Sequence, residues 1–400
     1  MGEQTGGGLN IVGVFPISEI RTGGHKRYIE LTRQLVARGH QVYQLCRPSM
    51  AERLPGVTVP VIPDDLKGYV VPRWWRYRFW VKRGMSMIRR HLPAGGADLV
   101  LVFGETNFFA ARAVAQSLDV PLVFALRSNF VDEFLTFGTS SRRLPWFPAL
   151  QKRFQRWWKQ HQERAICEGS NMVVFQTAYD RDNVIQRNPG LTGRTAVIPN
   201  SFRVSWLPER YRHDVVPPVG DAHTPEFIKL LYLGHLNERK GIPFLFPAIK
   251  QVVEAGTTSF HLDVVGYGGL EGWSRDYVQQ NQLPEWVTFH GRVDDPLDFL
   301  AAADLVIVPS VYDSYPNTVL EAFFTGTPVL GADAAGIRTM LQDPALLFPH
   351  SSSEGLARRL QEILTVPDAY AQLCRAAAMQ RSRFDFDWAE RWETLFRSTL

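Results

Sequence analysis

Two acids, Asp313 and Glu321, stand with seven residues between them in VPSVYDSYPNTVLEAFFTGTPVL, residues 308–330. A carboxylate accepts two hydrogen bonds side by side, so a pair bracketing one turn suits vicinal hydroxyls, as on a sugar or a ribose. The run LVIVPS reads as a strand that delivers Ser310 and Asp313 to a sheet edge. Pro316 suits the first turn of a helix. That places the N–H groups of Asn317, Thr318 and Val319 near a helix N-terminus, open to a phosphate, with Glu321 one turn in. The plainer alternative is a capping acid plus a first-turn glutamate, both helix-stabilising.

Two other stretches offer anion-binding chemistry. In YLGHLNERKGIPFLFPAI, residues 232–249, a strand ends at Gly234 and Lys240-Gly241 opens a helix. A cation at a helix start opposes the dipole, and a bound anion would repair the mismatch. In RTGGHKRY, residues 21–28, Gly23 and Gly24 follow the first strand. Adjacent glycines let the backbone approach an anion at a helix N-terminus. A solvated lysine and a tight turn are the plainer alternatives.

The elements that must position these residues alternate. LNIVGVF (9–15), HQVYQLC (40–46), ADLVLVF (97–103), VPLVFAL (120–126), NMVVFQT (171–177) and TAVIP (195–199) read as strands. Most are continuously apolar, as expected of parallel strands covered on both faces. Amphipathic stretches such as 23–39 lie between them, with Gly39 placed to end that helix. Residues 199–226 are rich in proline and polar residues. Strands resume at 227–234, 260–266, 286–291, 303–310, 327–332 and 345–349. The expected architecture is α/β, with two doubly wound Rossmann-like domains facing across a cleft. Residues 1–205 form the first, 206–226 a linker and 227–382 the second. A C-terminal helix, 383–400, is placed back on the first domain. Ligands of such sheets bind beyond the C-terminal strand ends. No short internal repeat is visible.

Four hundred residues fit two domains. A net charge of +4 is too small to imply nucleic acid by itself. Cys46, Cys167 and Cys374 form no CxxC pair, which fits buried thiols in a reducing compartment. No run reaches about 18 apolar residues. The start, MGEQTGGGLN, lacks the basic region and apolar run of a secretory signal. The expected location is cytoplasmic. GYGGLEG (266–272) lacks the third glycine of a dinucleotide fingerprint in its required place, which disfavours a dehydrogenase.

Together, in order and spacing, these motifs resemble the retaining GT-B glycosyltransferases of family 4 type. That group includes lipopolysaccharide and phosphatidylinositol mannosyl transferases and the sucrose and glycogen synthases. The resemblance covers nearly the whole chain. It implies that Gly23 and Gly24 approach a donor diphosphate, that Lys240 binds it, and that Glu321 holds the nucleotide ribose. Phe289 to Val293, including Arg292 and Val293, match the segment beside the base. Gly234, His235, Ser314, Tyr315, Asn317, Thr318 and Val319 complete the implied donor contacts. Val197 to Asn200 match the strand leading out of the first domain.

Four positions depart from the family pattern. Asp313 replaces the usual glutamate, His235 a phosphate-binding arginine, and Thr339 an acid. Arg127 and Ser128 stand where a histidine is usual. The expected catalytic set is Lys240, Asp313, Glu321 and Arg127. Asp313 orients sugar hydroxyls, and Arg127 contacts the sugar or a diphosphate oxygen. A hexose passes from a UDP- or GDP-sugar to an acceptor with retention, through a front-face route without a protein nucleophile. No compelling DxD motif or histidine cluster points to a metal, and no cofactor is expected beyond the nucleotide-sugar substrate. A sugar-nucleotide epimerase of the same fold, or a degenerate transferase serving as a scaffold, are the alternatives.

Two acid-free stretches lie in the first domain, where the family binds its acceptor. Residues 66–97 hold Lys67, Arg73, Arg76, Arg78, Lys82, Arg83, Arg89 and Arg90 among Trp74, Trp75, Tyr77, Phe79 and Trp80. Residues 134–162 contain RRLPWFPALQKRFQRWWKQH. Basic helices carrying tryptophan suit an anionic membrane surface, and the expected acceptor is lipid-linked or carbohydrate. Ordinary core aromatics under a solvated basic face are the alternative. No recognition motif supports nucleic acid.

Overall fold

The computed structural model describes residues 7–20, 23–63, 73–137, 148–202 and 225–400, with side chains other than those of 73–78, 83 and 148–151. Most of the expected linker, and residues 66–72 and 138–147 of the two basic stretches, lie outside the described residues.

The chain forms two compact units. One comprises Met1–Pro199 and Asp387–Leu400, the other Asn200–Phe386. The first unit runs β1 (Asn10–Phe15), α1 (Gly23–Ala37), β2 (Gln41–Cys46), β3 (Val57–Val59), α2 (Arg73–His91), β4 (Leu99–Phe103), α3 (Phe108–Leu118), β5 (Leu122–Ala125), α4 (Phe130–Phe137), α5 (Pro148–Gly169), β6 (Met172–Phe175), α6 (Ala178–Arg187) and β7 (Thr195–Val197). Among the described residues its strands form one sheet in the order β3-β2-β1-β4-β5-β6-β7, every pair parallel.

The second unit runs β8 (Ile228–Leu233), α7 (Ile242–Glu254), β9 (Phe260–Val265), α8 (Glu271–Gln280), β10 (Val287–Gly291), α9 (Leu297–Ala302), β11 (Leu305–Val308), α10 (Asn317–Phe324), β12 (Val329–Ala332), α11 (Ala335–Met340), β13 (Leu347–Phe348), α12 (Ser353–Thr365) and α13 (Ala369–Arg381). Its sheet has the order β10-β9-β8-β11-β12-β13, also parallel. The last helix, α14 (Trp388–Thr399), belongs to the first unit.

Every expected strand is present, each shorter at one or both ends. The sequence reading missed β3, a three-residue edge strand in LPGVTVPVIPDD whose flanking prolines read as loop. In both sheets the strand order reverses beside the first strand, between β1 and β4 and between β8 and β11. The two units fix that junction by the same device. Asp98 accepts the Asn10 N–H at 2.6 Å, and Asp304 accepts the Lys229 N–H at 2.8 Å. These acids stand in ADLVLV and ADLVIV, a short sequence likeness between the halves. Burial explains the continuous apolar runs: Val100, Leu101 and Val102, like Leu305, Val306 and Ile307, are essentially inaccessible.

Candidate active site

The reversal between β8 and β11 opens a crevice at the C-terminal strand ends, where open α/β sheets bind ligands. The chain leaves β8 at Leu233 and turns through Gly241, the N-cap of α7, at φ 75°. A side chain there would be strained, and its Cβ would lie 1.8 Å from the Pro309 carbonyl oxygen. Only glycine allows the turn to press against the loop leaving β11. The Val311 N–H then donates to the Arg239 carbonyl at 2.9 Å, and the Arg239 guanidinium approaches the Tyr312 carbonyl at 3.4 Å.

This stitching brings Lys240 and Asp313 together. The Lys240 ammonium donates to Asp313 Oδ2, and Arg239 Nη1 lies 3.9 Å from the same oxygen. The Asp313 side chain is 13 % exposed. Burial pushes its carboxyl up. Lys240, Arg239 and the Tyr315 N–H more than offset that and hold it below its ordinary value of 3.8. Two cations thus flank this one carboxylate at the strand ends.

The expected geometry therefore needs revision at several residues. Asp313 does not stand open as a hydroxyl acceptor; its carboxylate is engaged by Lys240 and Arg239. Pro316 is the N-cap of α10 rather than its first-turn residue. The N–H of Val319 is not open to a phosphate, because it donates to the Pro316 carbonyl at 3.2 Å and the residue is fully buried. Asn317 and Thr318 remain at the helix start, and Asn317 Oδ1 accepts from Asn200 at 3.0 Å. Ser314 and Tyr315 are buried, with the Tyr315 ring near Phe384. Glu321 lies on α10, partly exposed. Thr339 donates to the Ala335 carbonyl of its own helix at 2.9 Å.

Two residues that the sequence reading passed over join this edge. Arg239 is the first; its signal was a second cation directly before the Lys-Gly pair. Tyr267 is the second, and the ring contacts of His235 at 4.9 Å and Arg292 at 5.7 Å converge on it. His235 also places its Nδ1 3.2 Å from the Tyr267 carbonyl, while Gly234 precedes it at the end of β8. Val293 packs on the unit's core. The sequence signal for Tyr267 was an aromatic between glycines at a strand end, considered only as a failed dinucleotide fingerprint. A cavity of about 250 Å³ lined by Asp304, Thr327, Tyr370 and Arg381 lies at the opposite, N-terminal strand edge and contains none of the candidates.

The remaining candidates belong to the first unit. Gly23 and Gly24 are the first two residues of α1, as the motif implies. Arg127 follows β5 with its guanidinium 5.1 Å from the Phe103 ring. Burial, and then the neighbouring Arg27, push it down to about 9, so it stays cationic at neutral pH. Ser128 donates to Glu133 at 2.9 Å.

Asp313 yields a test of its own. Its lowered folded pKa means that the ion pair's stabilisation is fully present above the unfolded value. It is lost as pH falls through the folded one. Asp313→Asn is expected to lower stability by about 1–3 kcal/mol, constant above pH 3.8 and shrinking below it. Urea unfolding of both proteins across the acid range checks this; a deficit that grows on acidification would contradict the pairing.

Residues 22–206 match the Glycosyltransferase Family 4 sequence family, and residues 228–366 match Glycosyl transferases group 1. The glycogen synthase of Mycobacterium tuberculosis is 27% identical over 92% of this chain and 88% of its own length. The phosphatidyl-myo-inositol mannosyltransferase of Mycobacterium leprae is 27% identical over 92% and 90%. Anabaena Alr3699/HepE, solved with UDP-glucose, superposes with a TM-score of 0.71 over 98% of this chain and 100% of that one, at 17% identity. Fold and matches together define a glycosyltransferase of the GT-B type. Within that class, the chain belongs to the family 4 glycosyltransferases.

Proposed function

We infer that this glycosyltransferase moves a hexose from a UDP- or GDP-sugar to a lipid-linked or carbohydrate acceptor, with retention of anomeric configuration, at the cytoplasmic face of a membrane. The observation that carries the donor assignment is the Lys240–Asp313–Arg239 cluster at the β8/β11 crevice. Cleaving a nucleotide-sugar develops negative charge on the departing diphosphate, and fixed cations aimed at that charge lower the barrier. Lys240 and Arg239 provide it, and the N-terminus of α10 adds its dipole. Arg239 thereby supplies the guanidinium that His235 does not.

Asp313 acts by holding Lys240 in place, and Glu321 takes the ribose hydroxyls. Tyr267, with His235 and Arg292 against it, offers a ring for the base. Charge neutralisation by side chains and backbone makes this a metal-independent reading. Retention follows from a front-face route in which the leaving diphosphate itself assists the acceptor. The UDP-glucose held by the Anabaena structure supports the donor class. The mannosyltransferase relative supports an acceptor carrying a lipid.

A panel of UDP-, GDP- and ADP-sugars tested for thermal stabilisation identifies the donor, because a ligand of the folded state raises its apparent stability. At a concentration of about 100 Kd the expected gain is about 2.7 kcal/mol. If no nucleotide-sugar shifts the transition, the assignment fails. Products formed from donor alone would identify an epimerase, and donor binding with neither hydrolysis nor transfer a scaffold.

A further inference from the structure

The two basic, aromatic stretches look alike in sequence but have different fates in the fold. In α2 the described apolar face, from Trp80 on, is ordinary core: Val81 and Ile88 are fully buried, Met85 nearly so, and Trp80 and Leu92 pack on the same cluster. That part of its apolar stripe is therefore already covered, and Phe79 and Met87, which stand exposed, lie outside it.

Helix α5 is different. Phe154, Trp157, Trp158 and His161 recur at i, i+3, i+4 and i+7, the spacing of a helical stripe. Phe154 is 60 % exposed, Trp157 55 % and Trp158 38 %. Their rings form a ladder, with Phe154–Trp157 at 5.8 Å, Trp157–Trp158 at 6.4 Å and Trp157 stacked on His161 at 5.5 Å. The side of this half of the helix turned to the protein is polar. Lys159 sits over the Phe130 and Phe134 rings of α4, Gln162 approaches the Glu105 carbonyl, and buried Glu163 pairs with Arg187. A water-facing helix normally has the reverse arrangement. On the same stretch of helix Lys152, Arg153 and Arg156 are exposed, and no acid occurs from residue 148 to 162. Arg153 borders the stripe, while Lys152 and Arg156, each two residues from Phe154, lie further round the helix.

We propose that α5 docks this protein on an anionic lipid surface, with Phe154, Trp157 and Trp158 entering the interface, Arg153 at its border meeting lipid phosphates, and Lys152 and Arg156 adding positive charge to the same end of the helix. Tryptophan suits that boundary because its ring is apolar and its N–H polar. Cations add attraction to a negative leaflet. Charge complementarity selects this occupant, since an aromatic stripe alone would serve an apolar partner equally. The inference deepens the proposed reaction by naming the surface at which a lipid-linked acceptor is met. It rests on that reading only for the acceptor, not for the binding.

The test is flotation of the full chain with vesicles of phosphatidylcholine containing phosphatidylglycerol, and with phosphatidylcholine alone. The wild type is expected to float with the anionic vesicles and at least tenfold less with the neutral ones. Trp157→Ala/Trp158→Ala and Lys152→Glu/Arg153→Glu/Arg156→Glu should each lose at least tenfold in partition. Far-UV circular dichroism and stabilisation by a nucleotide-sugar should remain as in wild type, which shows that the variants fold. Absence of wild-type flotation overturns the proposal, as does flotation that both variants retain. So does a wild-type dimer dispersed by the tryptophan variant without lipid binding, which would make the stripe a contact between copies. Retention of the wild type by a polysaccharide gel and not by vesicles would make it a sugar platform and equally overturn it. Loss of donor stabilisation in the wild type would instead fault the reaction, leaving the vesicle result intact.

Discussion

Lys240→Ala is expected to lower kcat/KM for the donor by about 10²–10³-fold, the range found when one preorganised charge-stabilising donor is removed. Lys240 is held by a rigid path: Gly241 fits against Pro309, the Arg239 carbonyl receives the Val311 N–H, and Asp313 receives the ammonium. A lysine so fixed loses little rotamer freedom on meeting a diphosphate and needs little rearrangement as charge develops. The substitution also leaves the largely buried Asp313 without its nearest cation, so part of any loss could come from folding. The double variant Lys240→Ala/Asp313→Asn separates the two effects. It removes the stranded charge and is expected to recover stability while staying as inactive as the single variant. Steady-state kinetics beside urea unfolding read both quantities. Wild-type kcat/KM in either variant would remove Lys240 from the mechanism.

Trp392→Ala is expected to cost about 3–5 kcal/mol, the range for truncating a fully buried tryptophan. Its ring is inaccessible and stacks on Phe103 at 5.6 Å, with Trp388 at 6.3 Å and Phe396 at 5.7 Å. The ion pairs along the same helix cannot account for such an effect. Arg38 reaches Asp387 at 3.2 Å and Glu393 at 3.0 Å, but it is about a third exposed, and pairs of that kind contribute about 0.2–1 kcal/mol. Burial therefore outweighs charge in holding α14 to the sheet of the first unit. A chain of two units need not unfold in one step. The loss should appear in the transition of the first unit, with nucleotide-sugar stabilisation of the second retained. A denaturation midpoint unchanged by the substitution would contradict this packing.

Much of the fold was legible because buried parallel strands are written as apolar runs. LVLVF and LVIV have no polar face to mistake. The positions of Lys240, Asp313 and Glu321 were legible too, because each sits just past a strand or on the following helix, and local pattern fixes those ends. β3 was not, since an edge strand of three residues between prolines has almost no periodicity to read. The partner of Asp313 was not, because Lys240 is distant in sequence and meets it only through the adjacency of β8 and β11. Tyr267 and Arg239 were hidden for the same reason: their significance lies in which rings and charges the crevice gathers.

By itself, the sequence determined two α/β units, the order of the motifs and a resemblance that fixed the class of reaction. Those properties reside in local periodicity and spacing, which survive without coordinates. Only the tertiary structure decided that Asp313 faces Lys240, that Val319 has its N–H engaged, and that α2 and α5, nearly indistinguishable as strings, set their described apolar side chains differently, α2 from Trp80 on chiefly in the core and α5 in an exposed aromatic stripe. Such outcomes depend on which side of an element its neighbours cover, and that is set by packing between segments far apart in the chain.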